Sequence, residues 1–353
     1  MTADFQIYRI IVNILFNQPD LLTYIVALLG RMHMLMDFIA ALGTLAKGCG
    51  LYEILRSTFG SVEKLLDGKK YPQNIRAIRL LAEELIRPIL LKHPGITTME
   101  ELEAILDELS TKSKTSKLWI DLIIKPAFIM MLCIRADHEG DFALHLYAAN
   151  LMLVYIFAAH KYNYARYGLY YIRSMQWLPE ECEKKFVKGE QALHLKSGIN
   201  NGIPSDQFIE CTWMRKGKAE NGVIGSIQKP QTMATWVYSM NAATTLINDL
   251  RDMSEDSIKV HISHKEEANS RIKKDMADRL SLRETLKGCI DPLDPDTHPN
   301  GQLINICTGL IAPEHVNVWD AVAIGTKQME EFEKSWPDGF YNSLLKGNFH
   351  LYL

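Results

Sequence analysis

The sequence predicts a mainly α protein with a few short strands. Apolar residues recur at every third or fourth place through most of the chain, as in YPQNIRAIRLLAEELIRPILLKH, the period of a helix with one buried face. Short aliphatic runs that read as strands are few, with YIVALLG the clearest. Helix start and stop signals are frequent along the chain. With 353 residues, 47% of them hydrophobic and 23% charged, there is enough apolar surface for one large domain or two smaller ones. That balance also argues against wholesale disorder.

In chain order, Asp4 stands at a strand end or turn, and the following segment FQIYRIIVNILF is helical. YIVALLG is a short buried strand closed by Gly30. A helix runs on from His33 and ends at Gly48 and Gly50, because glycine is favoured just past a helix C-terminus. LYEILRSTF (51–59) is a second, short helix. Residues 69–93 form a long amphipathic helix opened by Asn74, with Pro88 as a kink or stop. Thr98 and Glu101 have the spacing of a capping box at the head of the next helix. TKSKTSK (111–117) is a polar basic linker. Helices follow at about 117–136 and 141–161, and the aromatic run 160–172 keeps helical spacing. The loop 198–206 ends that block, and Ser205 or Asp206 caps the helix DQFIECTWMRKG. GVIGSIQKP is a loop or short strand, residues 230–254 and 265–288 are helical, and QLINICTGLIA is a further strand candidate before a final helix.

Several function classes are excluded at this level. A net charge of −3 gives no global nucleic-acid signal, so any DNA surface has to be a local patch. Cys49, Cys133, Cys182, Cys211, Cys289 and Cys307 form no CxxC pair and read as reduced thiols of a nuclear or cytoplasmic protein. Secretion is not expected, since Asp4 and Arg9 interrupt the apolar core that a cleavable signal needs. No membrane span is expected either. LWIDLIIKPAFIMMLCI carries Asp121, Lys125 and Pro126, and LYAANLMLVYIFAA falls short of the roughly 20 residues a bilayer requires. The chain contains no Walker loop, GxGxxG, GxSxG or HExxH.

What chemistry there is rests on carboxylates. Metal-assisted hydrolysis needs acids that converge on one or two Mg²⁺ ions. Asp4 has the right setting at a strand end, and Asp206 and Glu210, four apart, share a helix face. Glu210 lies between Ile209 and Cys211, where a half-buried carboxylate needs a partner or a metal. The structural alternatives are an N-cap role for Asp206 and pairing of Glu210 with Arg215 or Lys216. His138, His145 and His160 match no metal spacing, and His261 with His264 is a weak HxxH pair. The tyrosines of 162–171 have the spacing of core residues, although stacking on bases is the alternative. The basic faces of 69–79 and 259–287 interleave with acids and read as solvated.

The segments ADFQIYR, LGRMHMLMDFIAALGTLAKGCGL, GKKYPQNIRAIRLLAEEL, NYARYGLYYI, GIPSDQFIECTWMRKGKAENGVIGS and LINICTGLIA together resemble a family of uncharacterised, transposon-associated proteins widespread in invertebrate and fish genomes. The order of elements also resembles the later part of an RNase H-like transposase of the hAT or P-element kind. That resemblance implies a partial RNase H-like α/β core over 1–59, a large helical insertion over 60–195, and a closing helix with a helical C-terminal region over 196–353. It assigns Asp4 as the second catalytic aspartate, His33 as the histidine that orients the site or contacts a phosphate, and Glu210 as the closing glutamate. Asp4 and Glu210 would then hold Mg²⁺ or Mn²⁺, and DNA would be the partner. Two departures stand against activity. The first catalytic aspartate has no counterpart, so the resemblance implies a truncated and inactive protein. Arg31 also stands where the family has a second glycine, and a long cation there is expected to crowd the site. A helical binding or scaffold protein is the non-enzymatic alternative.

Overall fold

The computed structural model describes residues 2–18, 25–60, 66–67, 70–176, 178–194, 202–211, 269–313 and 318–335, with positions 234, 238, 239, 242 and 245. Strands β1 (Thr2–Ala3) and β2 (Leu28–Leu29) pair in parallel, Thr2 opposite Leu28 and Ala3 opposite Leu29. A parallel pair needs a crossover. Helix α1 (Phe5–Asn17) lies in it, and Asp4 is its N-cap, with Oδ1 accepting from Ile7 N at 3.0 Å. Within the described part of the expected strand YIVALLG, only Leu28 and Leu29 are strand. Gly30 extends the contact, its N–H donating to the Ala3 carbonyl at 2.7 Å.

Helix α2 (Arg31–Leu45) starts directly after Gly30 and carries Phe38, Ile39 and Leu42 into the core. Gly48 and Gly50 take positive φ in the turn that follows, and α3 (Leu51–Phe59) begins at once. Helix α4 (Tyr71–Lys92) opens at Tyr71 rather than at Asn74 and continues through Pro88. Asn74 is buried inside the helix, where its Oδ1 accepts from Leu66 N. The capping box of Thr98 and Glu101 opens α5 (Met99–Lys112) as its spacing predicts.

TKSKTSK is not a linker. Ser113 alone breaks the helix, and α6 (Lys114–Trp119) starts immediately. The Thr115 hydroxyl finds partners that the sequence does not reveal, since its Oγ1 donates to Gln302 O and accepts from Ile304 N. A π-helical turn, Ile120–Ile124, leads into α7 (Lys125–Glu139). Pro126 lacks an N–H for the α ladder, which accounts for rewiring at that point. Helix α8 (Phe142–Ala158) is apolar on all sides and packs against α2, α7 and α9 (Tyr162–Met175). The tyrosines of α9 are largely core. Tyr167 and Tyr171 stand edge-on to Tyr8 of α1.

Helix α10 (Glu180–Val187) precedes an antiparallel pair, β3 (Leu193–His194) with β4 (Gly202–Ile203), and α11 (Ser205–Ile209) follows. Helix α12 (Asn269–Lys287) lies on α3 and α4. Its charged face is not solvated as the pattern predicts. Arg76 pairs with Asp275 and Asp278, Arg79 with Asp275, and Glu84 with Arg279 and Arg283. The strand expected in QLINICTGLIA reduces to one bridge between Ile304 and Ile311. Helix α13 (Ala321–Lys334) closes the described chain against α8. Residues 222–230, His261 and His264, and nearly all of the helix expected over 230–254, lie outside the described residues. Among the described residues no helix is long and apolar enough to cross a membrane.

Candidate functional site

The C-terminal ends of β1 and β2 bring two sequence-predicted residues to one edge. Asp4 follows β1 directly, and His33 lies in the first turn of α2, just past β2. Helix α11 packs on both α2 and β1 and carries Asp206, with Glu210 at its C-cap.

Asp206 holds this arrangement together. The expected N-cap role is not what it does, because Pro204 is the N-cap of α11 and makes no side-chain cap bond. Asp206 Oδ2 instead accepts from the His33 backbone N–H at 3.1 Å and lies 3.0 Å from His33 Nδ1. The reason lies in α2. Its N-cap is Gly30, which has no side chain to satisfy the free N–H groups of the first turn. A carboxylate from another element does this in its place, where the helix dipole favours an anion. Gly30 also makes the approach possible. A Cβ there would lie 2.7 Å from Asp206 Oδ2 and 2.9 Å from the Ala3 carbonyl oxygen.

The electrostatics join four residues. The Asp206 hydrogen bond raises the His33 pKa above its ordinary value, partial burial opposes this, and the charges of Asp206, Glu210 and Asp4 add to the rise. Asp206 is itself buried, and its Oδ1 has no hydrogen-bond partner among the described residues. Glu210 is half-buried, whereas its neighbour Cys211 is exposed. Arg215 and Lys216, the expected partners of Glu210, lie outside the described residues.

Arg31 does not crowd this edge. Its guanidinium is buried, donates to Asp137 Oδ1 at 2.7 Å and to the Gln191 carbonyl, and so ties α2 to α7. Burial pushes the Asp137 carboxyl up to about 6, against the pull of Arg31. His145 lies in the same buried layer, 3.1 Å from the Tyr171 hydroxyl, and burial followed by the Arg31 charge lowers its pKa well below the ordinary value. His145 is therefore a neutral core group. The Asp206–His33 contact and the Arg31–Asp137 pair are what sequence reasoning misses. The available signal is that Gly30, read as the end of a strand, leaves the next helix without a capping side chain.

Part of the donor set is already engaged. Asp4 Oδ1 is committed to the α1 cap and Asp206 Oδ2 to His33. Among the described residues, no three His, Cys, Asp or Glu side chains gather so as to hold a metal. A groove of about 520 Å³ opens nearby, lined by Thr2, Leu28, Gln191, Ser205 and Phe208, but Asp4, His33 and Glu210 do not line it. What the edge presents is one imidazole whose pKa is raised, with three acids around it.

A family model described as a domain of unknown function (DUF8702) matches residues 1–97 and 93–337, and the chain belongs to this family. No curated protein and no solved structure matches the chain.

Proposed function

We propose that the protein is transposase-like, of RNase H-like descent, and that Asp4, His33, Asp206 and Glu210 are its counterpart of a metal-dependent DNA-processing site. The reading rests on one observation. Two adjacent parallel strands deliver Asp4 and His33 at the same edge, and a later helix closes over them with two acids, one bonded to His33. In open parallel sheets the C-terminal strand ends are where ligands bind. His33 suits contact with an anionic phosphate, since Asp206 and its neighbours favour the imidazolium, and Asp206 orients the ring. Asp4 and Glu210 supply the negative charge that attracts a divalent cation such as Mg²⁺ or Mn²⁺.

This chain by itself is proposed not to cut DNA, because two-ion chemistry needs a bridging carboxylate beyond those gathered among the described residues. Supply of a further aspartate is the condition for an active nuclease. The test is nicking of supercoiled plasmid in Mg²⁺ or Mn²⁺ by the purified chain. The expected outcome is no nicking above a protein-free control. Nicking that Glu210→Ala abolishes would overturn the inactive reading.

A second reading, a helical binding or scaffold protein, is favoured by the use made of the acids. Asp4 caps α1 and Asp206 caps α2, both ordinary structural work. The two readings part on whether a divalent cation is felt at His33.

A further inference from the structure

Far from His33 along α2, two thiols meet that the proposed function does not use. Cys289 Sγ and Cys307 Sγ are 3.4 Å apart, both half-buried, and the segments bearing them are joined by a hydrogen bond from Ile290 N to the Ile306 carbonyl at 2.8 Å. We propose that Cys289 and Cys307 are a reversible, oxidant-sensitive pair that forms a disulfide and locks the 289–307 loop onto the turn after α2.

That loop already grips the turn. Ile306 N donates to the Cys49 carbonyl, Asn305 Nδ2 to the Gly48 carbonyl, and Cys307 Sγ contacts the Gly50 carbonyl. Gly50 takes φ +102°, and a Cβ there would sit 3.0 Å from Ile306 and 3.2 Å from Cys307 Sγ. The sulfurs touch without being bonded, so bond formation needs only a small closure. Burial, followed by the hydrogen bond shared with Cys289, pushes the Cys307 thiol up to about 12.

The oxidant is a hydroperoxide. The thiolate of one cysteine attacks the peroxide O–O bond, giving a sulfenic acid and, with hydrogen peroxide, water. The thiol of the other then attacks that sulfur, the S–S bond forms and a second water leaves. Two thiols are oxidised and one peroxide is reduced, and a dithiol reverses the step.

The test treats the folded full chain with hydrogen peroxide, blocks free thiols under denaturing conditions and digests on the N-terminal side of aspartate. Cleavage before Asp291 separates the two cysteines. The expected result is a Cys289 peptide joined to a Cys307 peptide and released by reductant. Cys289 and Cys307 both recovered as free thiols, either one linked to Cys49 instead, or both over-oxidised without a link would overturn the proposal. As a second readout, oxidised wild type should melt above the reduced protein, with no such difference in Cys289→Ser. Equal melting of the linked and reduced forms would overturn the locking role.

Discussion

At the residue scale, side chains act for a neighbour that lacks one. Gly30 cannot cap α2, so Asp206 does, and His33 gains its partner in the same contact. The His33 pKa therefore lies above the unfolded value of about 6.5. A histidine shifted this way adds stability that is full below about 6.5 and is lost as pH rises through the higher folded value. NMR titration of the ring should show the raised pKa in the wild type and a lower one in Asp206→Asn, with the matching part of the pH-dependent stability gone. Arg31 gives a second prediction. Arg31→Met leaves Asp137 buried without its cation and should cost about 3–5 kcal/mol in chemical denaturation. Adding Asp137→Leu should recover much of that loss. The position of Asp4 and His33 just past short strands was legible, because strand and helix signals are local. The contact of Asp206 with His33 was not, because a Pro-Ser-Asp start to a helix reads as a local cap and its true partner lies 173 residues away.

At the scale of elements, α12 shows how charge pattern misleads when read one helix at a time. Its acids and bases interleave, as do those of α4, and each alone reads as a solvated face. Against one another they interlock, with the Glu84 carboxylate only 1% exposed between Arg279 and Arg283. Burial pushes Glu84 up, but the hydrogen bonds and charges of the two arginines outweigh it and hold the pKa below the usual range. Stability from this contact is present above about pH 4.3 and is lost as pH falls through the lowered folded value. Glu84→Gln should cost about 2 kcal/mol, the scale of hydrogen bonds to a charged group. Faster amide exchange along α12, with α8 unchanged, is the signature to look for. Equal slowing or equal speed in both helices would mean that the seam does not hold α12. Local signals did predict local events: the Thr98–Glu101 box opens α5, and Gly48 and Gly50 mark the turn after α2. They failed at Ser113, where the buried Thr115 hydroxyl depends on the backbone of Gln302 and Ile304.

For the whole molecule, the helical class was readable because periodicity is a local property, and the described residues are mainly helical. How the helices face one another was not, because Arg31–Asp137, His33–Asp206 and Glu84–Arg283 each join distant parts of the chain. The central claim is that Asp4, His33, Asp206 and Glu210 act as one site that draws a divalent cation to the strand ends. Its most direct test is the His33 pKa measured with and without Mg²⁺ at matched ionic strength, with exposed His93 as the internal reference. Cation and imidazolium proton compete for the same acids, so the account predicts that Mg²⁺ lowers the His33 pKa, leaves that of His93 unchanged, and loses its effect in Glu210→Gln. A His33 pKa that does not respond to Mg²⁺ would contradict it and leave these residues with capping and pairing alone.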